Sequence, residues 1–492
     1  MPRRSSAVAL SLVLLLAGCS RDLADDDTSA GDDDSAGDDD TTEPVSECVF
    51  PPGQPSFDEF GGDSRAQLDA TGAFRTQELC ERWWLVTPEG HPFASIGVNN
   101  VGPYGDAGQV SGERAYQDSV ETLYDSLDEW ADAAVERLSS WGFNTAGCWS
   151  SGDWIHPRIP YTRGLALAGD DWIAGTVADY YDPAWEADVV AATAEISSHA
   201  DDPNLIGYFL DNEIRWGPDW RGFDTLLQLY LALDATAPGK EVAVQLLLDE
   251  LGGLDAVNGF LGTDHASEDA LRAATDGWGA LDQASSPTEA QLTTRFLERT
   301  ADRYFDVTTS AVRAADPVHL VLGNREVSVT TRVEVYRAAA PYVDLLSINN
   351  YVFFEIVTEA ALEMSGSVDP ADGFAALHEE LGLPILITEF GFRADDSGLP
   401  NSWPPQYPTL DTQEERADAF EEYVRDKHAL PWIVGYHWFE WVDQPAEGRF
   451  DGEDNNWGLV DEQDQPYPVV VERMSQVNPE IWSWLEVPRE GR

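Results

Sequence analysis

The chain has 492 residues, 43% of them hydrophobic, and a formal net charge of −61. It is long enough to bury a large core, and its acidity excludes nucleic acid and other polyanions as partners. With 18 Trp, 16 Tyr and 19 Phe, it carries more aromatic surface than a plain scaffold needs, which fits a neutral substrate held in an aromatic cleft.

The N-terminus reads as a targeting segment. Arg3 and Arg4 precede an apolar run from Ala7 to Leu16, followed by small residues. That is the layout of a signal peptide over residues 1–18. Leu16-Ala17-Gly18-Cys19 resembles a bacterial lipobox, so Cys19 is expected to carry lipid and anchor the protein to a membrane. Ser20 gives no inner-membrane retention signal of the Asp kind, which points to the outer membrane or cell surface. Residues 19–47 are a tether in which SAGDDD occurs twice, at Ser29–Asp34 and Ser35–Asp40. Small residues and like charges bury no apolar surface, so this segment stays extended and solvated. Cys48, Cys80 and Cys148 remain, and Cys48–Cys80 is one possible staple for the arm at 48–90.

From residue 91 to 485, short apolar runs alternate with longer amphipathic segments. The expected strands are 92–98, 143–149, a weak one near 163–168, then 205–210, 319–324, 344–351, 384–390 and 433–439. Helical patterns lie between them. Trp130, Ala134, Leu138 and Trp141 recur at helical spacing before Gly142, and Thr412 with Glu415 reads as a capping box. Eight buried strands alternating with helices predict a (β/α)₈ barrel. The long segment after the fourth strand is expected to fold as short helices over the barrel mouth, then a helix near 289–314.

Polar residues gather where these strands end, and barrels build their sites at that face. Asn99, Trp149, Asn212, Glu213, Arg325, Asn350, Tyr351, Glu389, His437, Trp438 and Trp441 all fall there, with Trp216 close behind. Two of them are glutamates, at the ends of the fourth and seventh strands. Glycosidic cleavage needs two carboxyls, one to protonate the leaving oxygen and one to attack carbon or activate water. The acid must keep its proton near neutral pH, which burial or a neighbouring carboxylate achieves. Salt-bridged surface glutamates are the bland alternative for either residue alone. No Cys/His cluster has zinc-site spacing, and DGEDNN at 451–456 lacks the calcium-loop pattern, so no metal or cofactor is expected.

Four stretches carry a closer likeness. They are RLSSWGFNTAGCWS (137–150), YFLDNEIRWG (208–217), ITEFGFRADDSGLPN (387–401) and GYHWFEWVDQPAEGRFDGEDNNWGLVDEQDQPYP (435–468). The chain resembles the retaining glycosidases whose acid and nucleophile follow strands four and seven, and within them the family 50 agarases. The resemblance implies cleavage of β-1,4 galactosidic bonds in agar or agaro-oligosaccharides, with Glu213 as acid/base and Glu389 as nucleophile. It also implies that Asn212 binds the sugar 2-hydroxyl. Tyr351 is placed to aim Glu389, and Trp149, Trp216, Trp438 and Trp441 to stack on sugar rings. Asn99, Arg325, Asn350 and His437 complete the expected substrate contacts. Agarases of this family usually carry an N-terminal carbohydrate-binding-like domain, and the arm at 48–90 is too short to be one. Two other readings stand beside it: another β-glycosidase of the same clan, acting on a β-galactoside, β-glucan or mannan, and a non-catalytic glycan-binding surface lipoprotein.

Overall fold

The computed structural model describes residues 53–281, 286–354, 358, 361–362 and 370–482. The chain divides into Met1–Glu47 and Cys48–Arg492. The expected signal peptide, Cys19 and the acidic tether lie outside the described residues.

Eight strands close into a parallel barrel: β1 (Ser95–Val98), β2 (Thr145–Ala146), β3 (Tyr161–Gly164), β4 (Leu205–Asn212), β5 (Leu320–Val327), β6 (Leu346–Asn349), β7 (Ile385–Phe390) and β8 (Ile433–Trp438). The ring is sealed by β8 on β1, with Tyr436 opposite Ile96 and His437 opposite Gly97. This is the expected (β/α)₈ fold. The third strand lies a few residues earlier than its apolar residues suggested. The buried part is Tyr161-Thr162, and Leu165 and Leu167 instead continue as loop residues that donate N–H groups to Phe209 and Leu210 of β4.

Two apolar layers follow from the two faces of each strand. Inside the barrel, Ile206, Phe209, Leu322, Leu386, Val434 and Cys148 form one cluster, which continues into Phe60, Phe74, Leu85 and Phe93. The last four belong to the N-terminal arm and its small antiparallel sheet (Arg75–Leu79, Arg82–Val86, Pro92–Phe93). The arm therefore plugs the N-terminal end of the barrel and leaves the other end open. Burying each of these phenylalanines is worth about 1.5–3 kcal/mol. Cys80 of the arm is disulfide-bonded, while Cys148 is free and buried. Outside the barrel, Tyr208, Val321, Ile348 and Tyr436 pack against helix residues such as Trp130, Tyr304 and Phe420.

The helices start where their caps dictate. Ser126 accepts the Glu129 N–H before Leu127–Ser140, and that helix stops at Gly142, whose φ of 81° suits glycine. Thr412 caps Gln413–His428 by accepting the Glu415 N–H, but Glu415 reaches back to Asp411 rather than to Thr412, so the box is only half formed. After β4 come Leu226–Leu231, Pro238–Leu251, Leu254–Leu261 and Glu268–Ala273, then the long helix Pro287–Ala315. The short helices were expected over the mouth. They pack on one another and on the long helix, where Leu226, Leu227, Tyr230 and Leu247 bury their apolar faces.

Candidate active site

β4 keeps its apolar run through Leu210 and ends at Asn212. Glu213 then adopts left-handed backbone, φ 51°, and donates its N–H to the Arg325 carbonyl at 3.0 Å. Non-glycine residues in that region are uncommon and collect at functional sites. The Glu213 carboxylate accepts from Asn349 Nδ2 at 2.9 Å. Glu389, next to last in β7, is 4% exposed. It accepts from the Tyr351 hydroxyl at 2.7 Å on one oxygen and from Arg325 Nη2 at 2.9 Å on the other.

Arg325 ties the site together. Fully buried in β5, it also donates to the Thr388 carbonyl at 2.9 Å, to Asn99 Oδ1 at 3.3 Å and to Asn212 Oδ1 at 3.2 Å. A buried ion pair is tolerable when its remaining hydrogen-bonding capacity is largely met in this way, and of the guanidinium nitrogens Nε alone has no partner among the described residues. Its guanidinium carbon lies 4.2 Å from the centroid of the Trp149 ring. Trp149 is half exposed, so it holds the arginine on one face and is open to the mouth.

The two glutamates sit in different electrostatic surroundings. Burial pushes the Glu213 carboxyl up to about 7, and the Glu389 charge pushes in the same direction, against the Asn349 hydrogen bond and the more distant Arg221 and Arg325. Glu389 has a guanidinium and a phenol as donors, whereas Glu213 has an amide. A carboxyl raised in this manner suits a proton donor. The Tyr351 hydroxyl stays protonated, since burial and Glu389 raise it well above its ordinary value.

The other residues expected at the site distribute unevenly. Asn212 and Tyr351 converge on the glutamates. Asn99 is fully buried, and its amide donates to the carbonyls of Thr388 and Trp438 while accepting from Arg325, so it braces the arginine. Asn350 binds the Tyr423 hydroxyl behind β7. His437 points into the barrel below the site, bonded to Ser95 Oγ at 2.9 Å. A Cβ at Gly97 would lie 2.6 Å from its ring, so only glycine admits it. Burial, then Arg325, lowers the His437 pKa to about 3, which keeps it neutral. Trp216, Trp438 and Trp441 are buried, donating to Glu326, to the Trp457 carbonyl and to the Tyr116 hydroxyl. They are packing residues, and the cleft reading of these three does not match their positions.

Asn349 was missed. It bonds Glu213, Asn212 and Thr388, whereas the residue expected at the site was its neighbour Asn350. Strand alternation could have separated them, because Asn349 sits opposite Glu389 in the register. A second buried group lies past the end of β8, where Glu440 follows His437 among the polar residues that gather at the strand ends. Glu440 accepts from Asn100 at 2.5 Å and Gln444 at 3.0 Å, and burial pushes it up to about 8. Gln444 and Arg449 also hold Glu453, at 2.8 and 3.0 Å. In the arm, Asp58, Glu89 and His91 cluster closely enough to suggest a metal. Asp58 and Gln67 already occupy both ring nitrogens of His91, which makes the group a polar clamp.

An eight-stranded barrel with paired glutamates at the ends of strands four and seven is the architecture of the glycoside hydrolase class. No protein-family model matches the chain. It is 29% identical over 460 residues to Beta-agarase A of Vibrio sp. (strain JT0107), covering 80% of this chain and 44% of that protein. With Beta-agarase B of the same strain it shares 25% identity over 492 residues, covering 85% and 49%. The chain thus spans about half the length of the curated relatives it matches. Among solved structures, an agarase, AgWH50C, superposes with a TM-score of 0.73 at 25% identity, covering 88% of this chain and 69% of that one. BpGH50 superposes at 0.65 and 20% identity, covering 87% and 86%, a likeness of fold. In sequence and in fold the chain is similar to the family 50 beta-agarases, the likeness its motifs implied.

Proposed function

We propose that the protein hydrolyses β-1,4 galactosidic bonds of agar or agaro-oligosaccharides with retention of configuration. What carries the reading is the pairing of Glu213 and Glu389 in opposite electrostatic surroundings at one barrel mouth; the likeness to beta-agarases supplies the substrate class. In the first step the ionised Glu389 attacks the anomeric carbon while the bond to the leaving oxygen breaks, and the Glu213 proton goes to that oxygen. In the second, Glu213 takes a proton from water, whose oxygen displaces Glu389 from the sugar. Tyr351 and Arg325 hold Glu389 in place for both steps. Arg325 and Asn349 fix the Asn212 amide oxygen, which turns its NH₂ toward the sugar 2-hydroxyl. Trp149 serves as the stacking face on the sugar undergoing attack. The chain works outside the cell, held by lipid on Cys19 at the outer membrane or cell surface, with the acidic tether as spacer.

Proton NMR of agaro-oligosaccharide hydrolysis tests this. The β-anomer of the new reducing end should appear first, and Glu213→Gln and Glu389→Gln should each abolish the signal. Unchanged turnover in both variants would sink the catalytic assignment. Activity confined to β-glucans or mannans would sink the substrate.

A further inference from the structure

Beside Glu213 lies an aromatic feature that the catalytic steps do not use. Asp219 and Gly222 pair as a short antiparallel bridge, so Trp220 and Arg221 form the tip of a tight turn. The turn is rigid. Arg221 donates to Asp219 Oδ2 through Nε at 2.9 Å and Nη2 at 2.6 Å, and to the Trp172 carbonyl at 3.2 Å. Beneath it, a Cβ at Gly222 would meet Arg215 at 2.5 Å, and one at Gly175 would meet Arg221 at 2.6 Å. The loop after β3 and the turn after β4 are therefore interlocked.

Arg221 joins this turn to the acid. Its Nη2 donates to the Glu213 carbonyl at 2.8 Å, and its guanidinium carbon lies 4.4 Å from the Trp220 ring centroid. Those links put the indole within about 9 Å of the Glu213 carbonyl oxygen. Trp172 meets Trp220 edge-on at 6.3 Å. Yet Trp220 is 48% exposed and Phe223, on the same loop, 81% exposed. A rigid indole left half open carries little ordering cost when a flat apolar sugar face stacks on it.

We infer that Trp220, backed by Arg221 and Trp172, is the stacking platform for the sugar on the leaving-group side of the scissile bond. This rests on the proposed function, in which Glu213 protonates the leaving oxygen: a platform tied to Glu213, rather than to the Arg325–Glu389 pair beneath Trp149, faces the departing sugar. The ligand is a neutral pyranose of a galactan chain.

The test compares Trp220→Ala and Trp220→Phe with the parent on two substrates. One is an agaro-oligosaccharide, whose leaving group is a sugar; the other is the glycosyl fluoride of the same donor sugar, whose leaving group is one atom. The Ala variant should lose about tenfold in kcat/KM on the oligosaccharide, mostly through KM, and nothing on the fluoride. The Phe variant should recover most of the loss. Equal losses on both substrates, or none on the oligosaccharide, overturn the inference. A parent that cleaves neither substrate defeats the proposed function by itself. Calorimetric titration of the oligosaccharide into parent and Trp220→Ala then decides the platform, and equal affinities overturn it.

Discussion

Glu213→Gln should make the protein more stable as well as inactive, and only at high pH. The Glu213 carboxyl is displaced from its ordinary value of 4.5 to about 7, first by burial and then by the Glu389 charge. That displacement corresponds to about 3 kcal/mol of disfavour toward the ionised form, and the half-buried position of the side chain trims it to about 2–3 kcal/mol. Because the folded-state pKa is raised, the stability linked to the bound proton is complete below about 4.5 and lost as pH rises through about 7. At pH 8.5 the parent carries an ionised, half-buried glutamate beside another carboxylate. Glutamine removes that charge and still offers an oxygen to Asn349. For a folded body of this size, 2–3 kcal/mol is roughly 2–3 °C in Tm. Scanning calorimetry should find the variant more stable by that margin at pH 8.5 and level with the parent at pH 4.5. Activity on sugar leaving groups should fall by about 10²–10⁴. A gap independent of pH, or a variant less stable at pH 8.5, would refute the assignment of Glu213 as the strained proton donor.

Other outcomes follow from the same contacts. The parent's kcat/KM should fall as pH rises through about 7, where Glu213 loses its proton, and a flat profile from pH 6 to 9 would count against it. Tyr351→Phe removes one hydrogen bond to Glu389, so kcat should drop about five- to tenfold with unfolding nearly unchanged, as steady-state kinetics and calorimetry would report. Arg325→Met leaves Glu389 buried without its counter-ion and should cost about 3–5 kcal/mol in denaturant unfolding. Trp216→Phe removes the N–H held by Glu326, at a cost of about 1–3 kcal/mol in stability; KM should not move, whereas a stacking role in the cleft would raise it.

Much of this molecule is written locally. An apolar run such as Leu205–Leu210 needs only its own residues to declare a buried strand, and the abrupt Asp211-Asn212-Glu213 end declares the open side of the barrel. Repeated eight times with helices between, that pattern admits few folds, so both the barrel and the two glutamates were legible. The third strand slipped because Tyr161–Gly164 has too little apolar character to stand out. Which member of a pair faces the site was not legible in the same way. Asn349 meets Glu213 and Asn350 meets Tyr423 because side chains alternate across a strand, and the phase is set by pairing with β7. The tryptophans show the same limit. Trp216, Trp438 and Trp441 look no different in sequence from Trp149 and Trp220. Only the closed barrel, by bringing Glu326, Trp457 and Tyr116 against the first three, buries them and leaves the other two open at the mouth. Local composition determines where strands begin and end. The pKa of Glu213 is raised first by burial and then by Glu389, far away in the chain, and both act through space and exist only once the ring has closed.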